Sequence, residues 1–132
     1  LSTECYGFLL DISRGITRNQ AAEYAERNEL IDTLTSYLER NFAKPVTLEE
    51  LAHIVNLSPD YMSAQFKKKM GITIMQYLTE IRIGHARHLL TLHPEKKVLE
   101  IGKICGFESP SYFGKTFKKE VGITPEGYRK NM

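Results

Sequence analysis

At 132 residues the chain suits one compact domain or two very small ones sharing a core, and 42% hydrophobic with 26% charged residues describe an ordinary globular protein. No run of eighteen apolar residues and no signal-like opening occurs, so neither a membrane span nor a secretory leader is expected. Two cysteines, Cys5 and Cys105, are too few for a disulfide scaffold and suit a reducing cytoplasm. The net charge of +2 hides an asymmetry: residues 1–57 carry five Lys/Arg against nine Asp/Glu and residues 58–132 thirteen against seven, so the halves are −4 and +6. The basic half points to a polyanionic partner.

The chain opens on Leu1 and reads as a piece of something longer. Over residues 2–14, Cys5, Phe8, Leu9 and Ile12 make one face of a short amphipathic helix that Gly15 ends. That face is too small to fold alone and must pack on Ile31 and Leu34, on a second chain or on an upstream domain. A longer helix is expected from about Gln20 to Phe42, with a stripe of Leu30, Ile31, Leu34, Leu38 and Phe42, and Pro45 stops it. No later segment alternates as a strand does, so the fold class is all-α.

Residues 58–77, SPDYMSAQFKKKMGITIMQY, and residues 109–128, SPSYFGKTFKKEVGITPEGY, share ten of twenty positions at an offset of 51. Upstream the offset becomes 50, and Leu48/Val98, Leu51/Ile101, Ile54/Ile104, Val55/Cys105 and Leu57/Phe107 match as apolar pairs. Each copy reads as two helices joined by a sharp turn. Thr47 with Glu50 suggests a reciprocal capping box, and the first helix ends at Asn56 or Gly106, residues that tolerate positive φ. Ser58 and Ser109 stand as N-caps, Pro59 and Pro110 at N1. Gly71 and Gly122 stop the second helix, with Ile72 or Ile123 beyond.

Two helices on such a turn form a helix-turn-helix, whose second helix reads the DNA major groove. With Met62 and Phe66, or Phe113 and Phe117, facing the core, the outer face carries Asp60, Ser63, Ala64 and Lys67 in the first unit and Ser111, Gly114, Lys115 and Lys118 in the second. These small, polar and cationic residues leave room for base edges and phosphates. Lys67, Lys68, Lys118 and Lys119 are candidate phosphate ligands, or else solvated cations favoured by a helix C-terminus. Lys115 is the best candidate to donate to guanine. Ala64 could touch a thymine methyl, and Asp60 could accept from cytosine or simply complement the helix dipole. Between the units a helix from Ile74 to about Leu92, apolar on more than one side, would span roughly 28 Å, close to the ~34 Å between successive major grooves on one DNA face. On it, Arg82 has an acidic residue or a phosphate as its alternatives. His85 and His88 lie three apart without a further metal ligand, and Cys105 replaces Val55 as a small core residue.

Residues 104–129, ICGFESPSYFGKTFKKEVGITPEGYR, closely resemble the C-terminal signature of the AraC/XylS family of bacterial transcription regulators, and residues 82–90, RIGHARHLL, resemble its connector helix. The resemblance implies two helix-turn-helix subdomains, over 25–73 and 93–132, joined by a connector over 74–92 and preceded by a helical linker over 1–24. It implies double-stranded DNA as partner, an asymmetric site read through adjacent grooves, activation through RNA polymerase, an upstream sensor or dimerisation domain, and work on the nucleoid in the bacterial cytoplasm. Relatives often carry long polar base-readers where Ser63 and Ala64 stand, so the first unit is expected to contribute mainly backbone contacts. The alternative, a helical protein–protein adaptor, would not need duplicated caps, turns and cations. No phosphate-binding Gly loop, zinc motif or nucleophile–base pair supports an enzyme, and no cofactor or metal is expected.

Overall fold

The structure, a computed structural model, describes residues 18–131. The expected helix over 2–14, with Cys5, Phe8, Leu9 and Ile12, lies outside the described residues. Seven helices follow: α1 Arg18–Asn41, α2 Leu48–Val55, α3 Pro59–Met70, α4 Ile74–Leu92, α5 Val98–Ile104, α6 Pro110–Val121 and α7 Pro125–Lys130. Among the described residues there is no strand, and no helix is long and apolar enough to cross a membrane.

Local chemistry sets the boundaries. The hydroxyls of Ser58 and Ser109 accept from the amides of Tyr61 at 3.2 Å and Tyr112 at 3.0 Å, and proline follows each cap. Asn56 takes the left-handed conformation, φ 57, at the end of α2, and Gly106 does so at φ 100 after α5. The box expected at Thr47 forms only in part. Thr47 accepts from the Glu50 amide at 3.1 Å, but the Glu50 carboxylate instead takes the Tyr37 hydroxyl and lies 3.8 Å from Lys44. A tyrosine and a lysine brought in by α1 and its loop outcompete the local amide. The reciprocal box forms at α4, between Thr73 and Gln76.

Two apolar cores result. The first gathers Ile31, Leu34 and Leu38 of α1, Leu51 and Ala52 of α2, Met62 and Phe66 of α3, and Ile74 and Leu78 of α4. The second gathers Ile83, Ala86 and Leu90 of α4 with Ile101, Cys105, Phe107, Phe113 and Phe117. Two-sided apolarity of α4 thus has a simple cause: its first half closes one core and its second half opens the other. Ile31, Leu34 and Leu38 recur 52 residues later as Ile83, Ala86 and Leu90, so the duplication includes the opening helix of each unit. The closing element is duplicated too. Tyr77 meets Phe66 edge-on at 5.7 Å, and Tyr128 meets Phe117 edge-on at 5.6 Å. Each fully buried large apolar side chain contributes about 1.5–3 kcal/mol of transfer free energy.

Three contacts weld the units together. Phe42 packs against both cores and stacks on His85 with centroids 4.0 Å apart. Arg82 donates from Nε to the Phe42 carbonyl at 2.8 Å and from Nη2 to the Lys44 carbonyl at 3.0 Å, taking up acceptors left over past the end of α1. The turn of the second unit presses on this knot. A Cβ at Gly106 would stand 2.6 Å from the Phe42 carbonyl oxygen and 2.8 Å from Arg82 Nε.

Inside each unit the two helices flanking the turn solve one packing problem differently. Ala52 lies on Met62's side of the first core, whereas its counterpart Gly102 lets the larger Phe113 ring approach so closely that a Cβ would fall 2.5 Å from Phe113 Cδ2. Gly102→Ala gains about 1 kcal/mol of helix propensity but overpacks a buried ring, which costs roughly 1–3 kcal/mol. Urea denaturation should therefore show Gly102→Ala destabilising the protein, and the same change in a Phe113→Met background should be neutral or stabilising.

Candidate nucleic-acid interface

α3 and α6 present equivalent faces because the same caps start them and the same aromatic pairs seat them. Asp60, Ala64, Lys67 and Lys68 are exposed and Ser63 is half-buried; on α6, Ser111, Lys115, Lys118 and Lys119 are exposed and Gly114 is half-buried. Around α6, at about 100° per residue, Ser111, Lys115 and Lys118 lie opposite buried Phe113 and Phe117. Gly114 lies on one edge. A Cβ there would meet nothing within 4 Å, so packing does not require this glycine and the bare backbone stays open to an approaching ligand.

Adjacent lysines separate in space. Lys119 sits on the opposite edge from Gly114, with Tyr112, Lys115 and Thr116, along a groove whose far wall is Met75, Gln76, Thr79 and Glu80 of α4. Lys68 has the equivalent place in the first unit, in a groove shared by Tyr61 and Gln65 of α3 and by Glu23, Glu26, Arg27 and Glu29 of α1. Lys67 and Lys118 instead belong to the outer face. Lys69, which has no cationic counterpart in α6, lies 4.9 Å above the Tyr24 ring, and Arg27 donates to Gln65 Oε1 at 2.8 Å; both brace α1 against α3. Acid is concentrated on α1 and base on α3 and α6.

The half-buried guanidinium of Arg82 donates to the Phe42 and Lys44 carbonyls and not to a carboxylate. Burial lowers its pKa, while Tyr112, Glu108 and Cys105 act the other way. A second arginine absent from the sequence reading performs the same task for the second unit. Arg129 of α7 donates to the carbonyls of Leu90 at 3.4 Å and His93 at 3.2 Å at the end of α4. The signal available was an arginine in the last helix, which is too common to stand out. His85 faces Phe42, and the described residues contain no group of three His, Cys, Asp or Glu that could hold a metal.

A pair of three-helix units, each ending in a small and cationic helix behind a tight turn, defines a helix-turn-helix DNA-binding domain. A family signature described as a helix-turn-helix domain matches residues 51–131. The bifunctional transcriptional activator/DNA repair enzyme AdaA of Bacillus subtilis is 36% identical over 103 residues, 78% of this chain and 48% of that protein. The HTH-type transcriptional activator RhaR of Klebsiella pneumoniae is 34% identical over 105 residues, 80% of this chain and 37% of that protein. A solved AraC-type transcriptional regulator from Chromobacterium violaceum superposes with a TM-score of 0.73 at 29% identity, over 80% of this chain and 94% of that one. This chain belongs to the AraC-type family of helix-turn-helix transcription regulators. It spans roughly a third to a half of the length of the curated relatives it matches.

Cys105 supplies a probe of the welded junction beneath the interface. Burial pushes its thiol up to about 11 from an ordinary 9.0, against the pull of Arg82. A folded-state value above the unfolded one means that stability present below pH 9 is lost as pH rises toward 11. The difference between wild type and Cys105→Val in thermal stability, measured across that window, should shift by roughly 2 kcal/mol in favour of valine.

Proposed function

We propose that this chain lays α3 and α6 into two successive major grooves on one face of double-stranded DNA and reads an asymmetric site as part of a transcription activator. The observation that carries this reading is the duplication of an accessible, cationic helix face on two units that a single helix and the Arg82 knot hold in one orientation. Lys115 reads a base in the second half-site. Asp60, Ser63 and Ala64 are short, so the first unit works mainly through the backbone and groove shape, with Lys67 and Lys68 on phosphates. Ser111 and Gly114 allow close approach of α6, and Lys118 and Lys119 neutralise phosphate. The nineteen residues of α4 span roughly 28 Å against the ~34 Å groove repeat; if the reading helices stand that close, straight DNA has to bend to meet both.

RNA polymerase is the second partner, contacted while the domain sits on a promoter. A sensor or dimerisation domain belongs to the full-length protein. That reading is supported by the curated relatives, of whose length the matching region makes up only 48% and 37%. The site of action is the nucleoid in the bacterial cytoplasm.

Hydroxyl-radical footprinting should show one chain protecting two segments about one helical turn apart in a non-palindromic site; protection of a single groove overturns the two-groove reading, and no protection at all leaves a protein-binding adaptor. On the preferred site Lys115→Ala should cost roughly 1–3 kcal/mol and relax choice at one base pair. Lys118→Ala should weaken all sequences alike and lower the salt slope by about one.

A further inference from the structure

Most side chains identical between the two units have a task inside the fold. Ser58 and Ser109 cap, Pro59 and Pro110 start helices, Phe66 and Phe117 fill cores, and Tyr77 and Tyr128 stand edge-on to those rings. Tyr61 and Tyr112 do not fit this pattern. They are identical, aromatic and placed at the third residue of each reading helix, yet 55% and 58% exposed. The hydroxyls of Tyr37, Tyr77 and Tyr128 each meet a protein group, Glu50, Glu39 and Arg87 respectively. Those of Tyr61 and Tyr112 have no hydrogen-bond partner among the described residues, although Tyr112 stands near enough to Arg82 to act on its charge.

We propose that Tyr61 and Tyr112 are paired backbone anchors whose phenol hydroxyls donate to DNA phosphate oxygens at equivalent places in the two half-sites. The inference rests on the two-groove reading above. Geometry favours it in three ways. First, the serine caps fix the tyrosine amides, so both side chains leave the helix start in the same direction. Second, the Tyr112 ring leans on Phe107, centroids 6.0 Å apart, and Tyr61 shares its groove with Leu57, the counterpart of Phe107. The Tyr112 ring is thus supported from one side, and both tyrosines stay more than half exposed.

Third, Lys68 and Lys119 follow seven residues later on the same helix edge, about 10.5 Å along the axis. A hydroxyl and an ammonium spaced along one edge can follow one DNA strand. The opposite walls carry Glu23, Glu26 and Glu29 with Arg27 in one groove and Glu80 in the other, and Glu120 follows Lys119 on the near wall. The carboxylates of the opposite walls disfavour phosphate on that side of each groove. A hydroxyl bonded to a phosphate positions the protein without reading sequence.

Phenylalanine removes the hydroxyl and keeps the ring, so the test is Tyr61→Phe, Tyr112→Phe and both together. Fluorescence anisotropy would follow binding to a duplex selected from random DNA and to an unrelated duplex across a salt series. Each change should weaken binding to both duplexes about three- to tenfold. The two losses should multiply, and thermal melting should stay put. The slope of log affinity against log salt should also be unchanged, because a neutral donor releases no counterion. Affinity unaltered by both changes overturns the proposal, as does a loss confined to the selected duplex, which would make the tyrosines base readers, or a loss matched by a lower melting temperature. If the unaltered protein binds neither duplex, the two-groove reading fails and this inference with it; binding that phenylalanine leaves untouched removes the tyrosines alone.

Discussion

Everything about the interface depends on one half-buried guanidinium. Arg82 leaves the middle of α4, crosses to the end of α1 and satisfies the carbonyls of Phe42 and Lys44, which the helix itself cannot reach. Gly106, from the far unit, comes to rest against the Phe42 carbonyl and the Arg82 guanidinium with no room for a single methyl group. Phe42 completes the arrangement by lying between the two cores. Two units whose reading helices must meet DNA together cannot be joined loosely, because a floppy joint would forfeit orientation entropy on every encounter. The junction settles their relation before DNA arrives.

The duplicated units show how one scaffold accepts unequal fillings. Leu34 in the first opening helix faces a core holding Met62, and Ala86 in the second faces one holding Phe113 and Phe117. Removing bulk from one wall and adding it to another keeps the packing dense, which is what interiors require. The aromatic edge contacts of Tyr77 and Tyr128, by contrast, are nearly superimposable. Conserved geometry sits at the closing element, and variation sits at the interface between helices.

Much of this was legible in the chain. The serine caps, prolines and positive-φ residues act through their nearest neighbours, so their effects could be read without tertiary knowledge, and the aromatic spacing in both copies gave the buried faces directly. What escaped reading was long-range. Glu50 looked like the second half of a capping box because Thr47 lies three residues before it, but Tyr37 and Lys44 arrive from another helix and its loop and take its oxygens. Arg82 reads as a partner for an acidic residue or a phosphate because nothing local marks two carbonyls about forty residues upstream as orphans. The repeat of the opening helix went unseen because only its apolar spacing recurs, with alanine standing for leucine at one of three positions. Within the interface, Lys118 and Lys119 were grouped by sequence, and the helical turn between them sends them to different edges.

The double duty of α4 has a consequence for how such a chain tolerates change in length. Its first half is bolted to one core by Ile74 and Leu78 and its second half to the other by Ile83, Ala86 and Leu90. One residue inserted between Leu78 and Ile83 would turn the second unit by about 100° and advance it by about 1.5 Å. α6 would then leave the face of the duplex that α3 addresses, although each unit could still close its own core. The helix acts as a phase-setting shaft, and its register is as much a part of the binding site as any side chain that touches DNA.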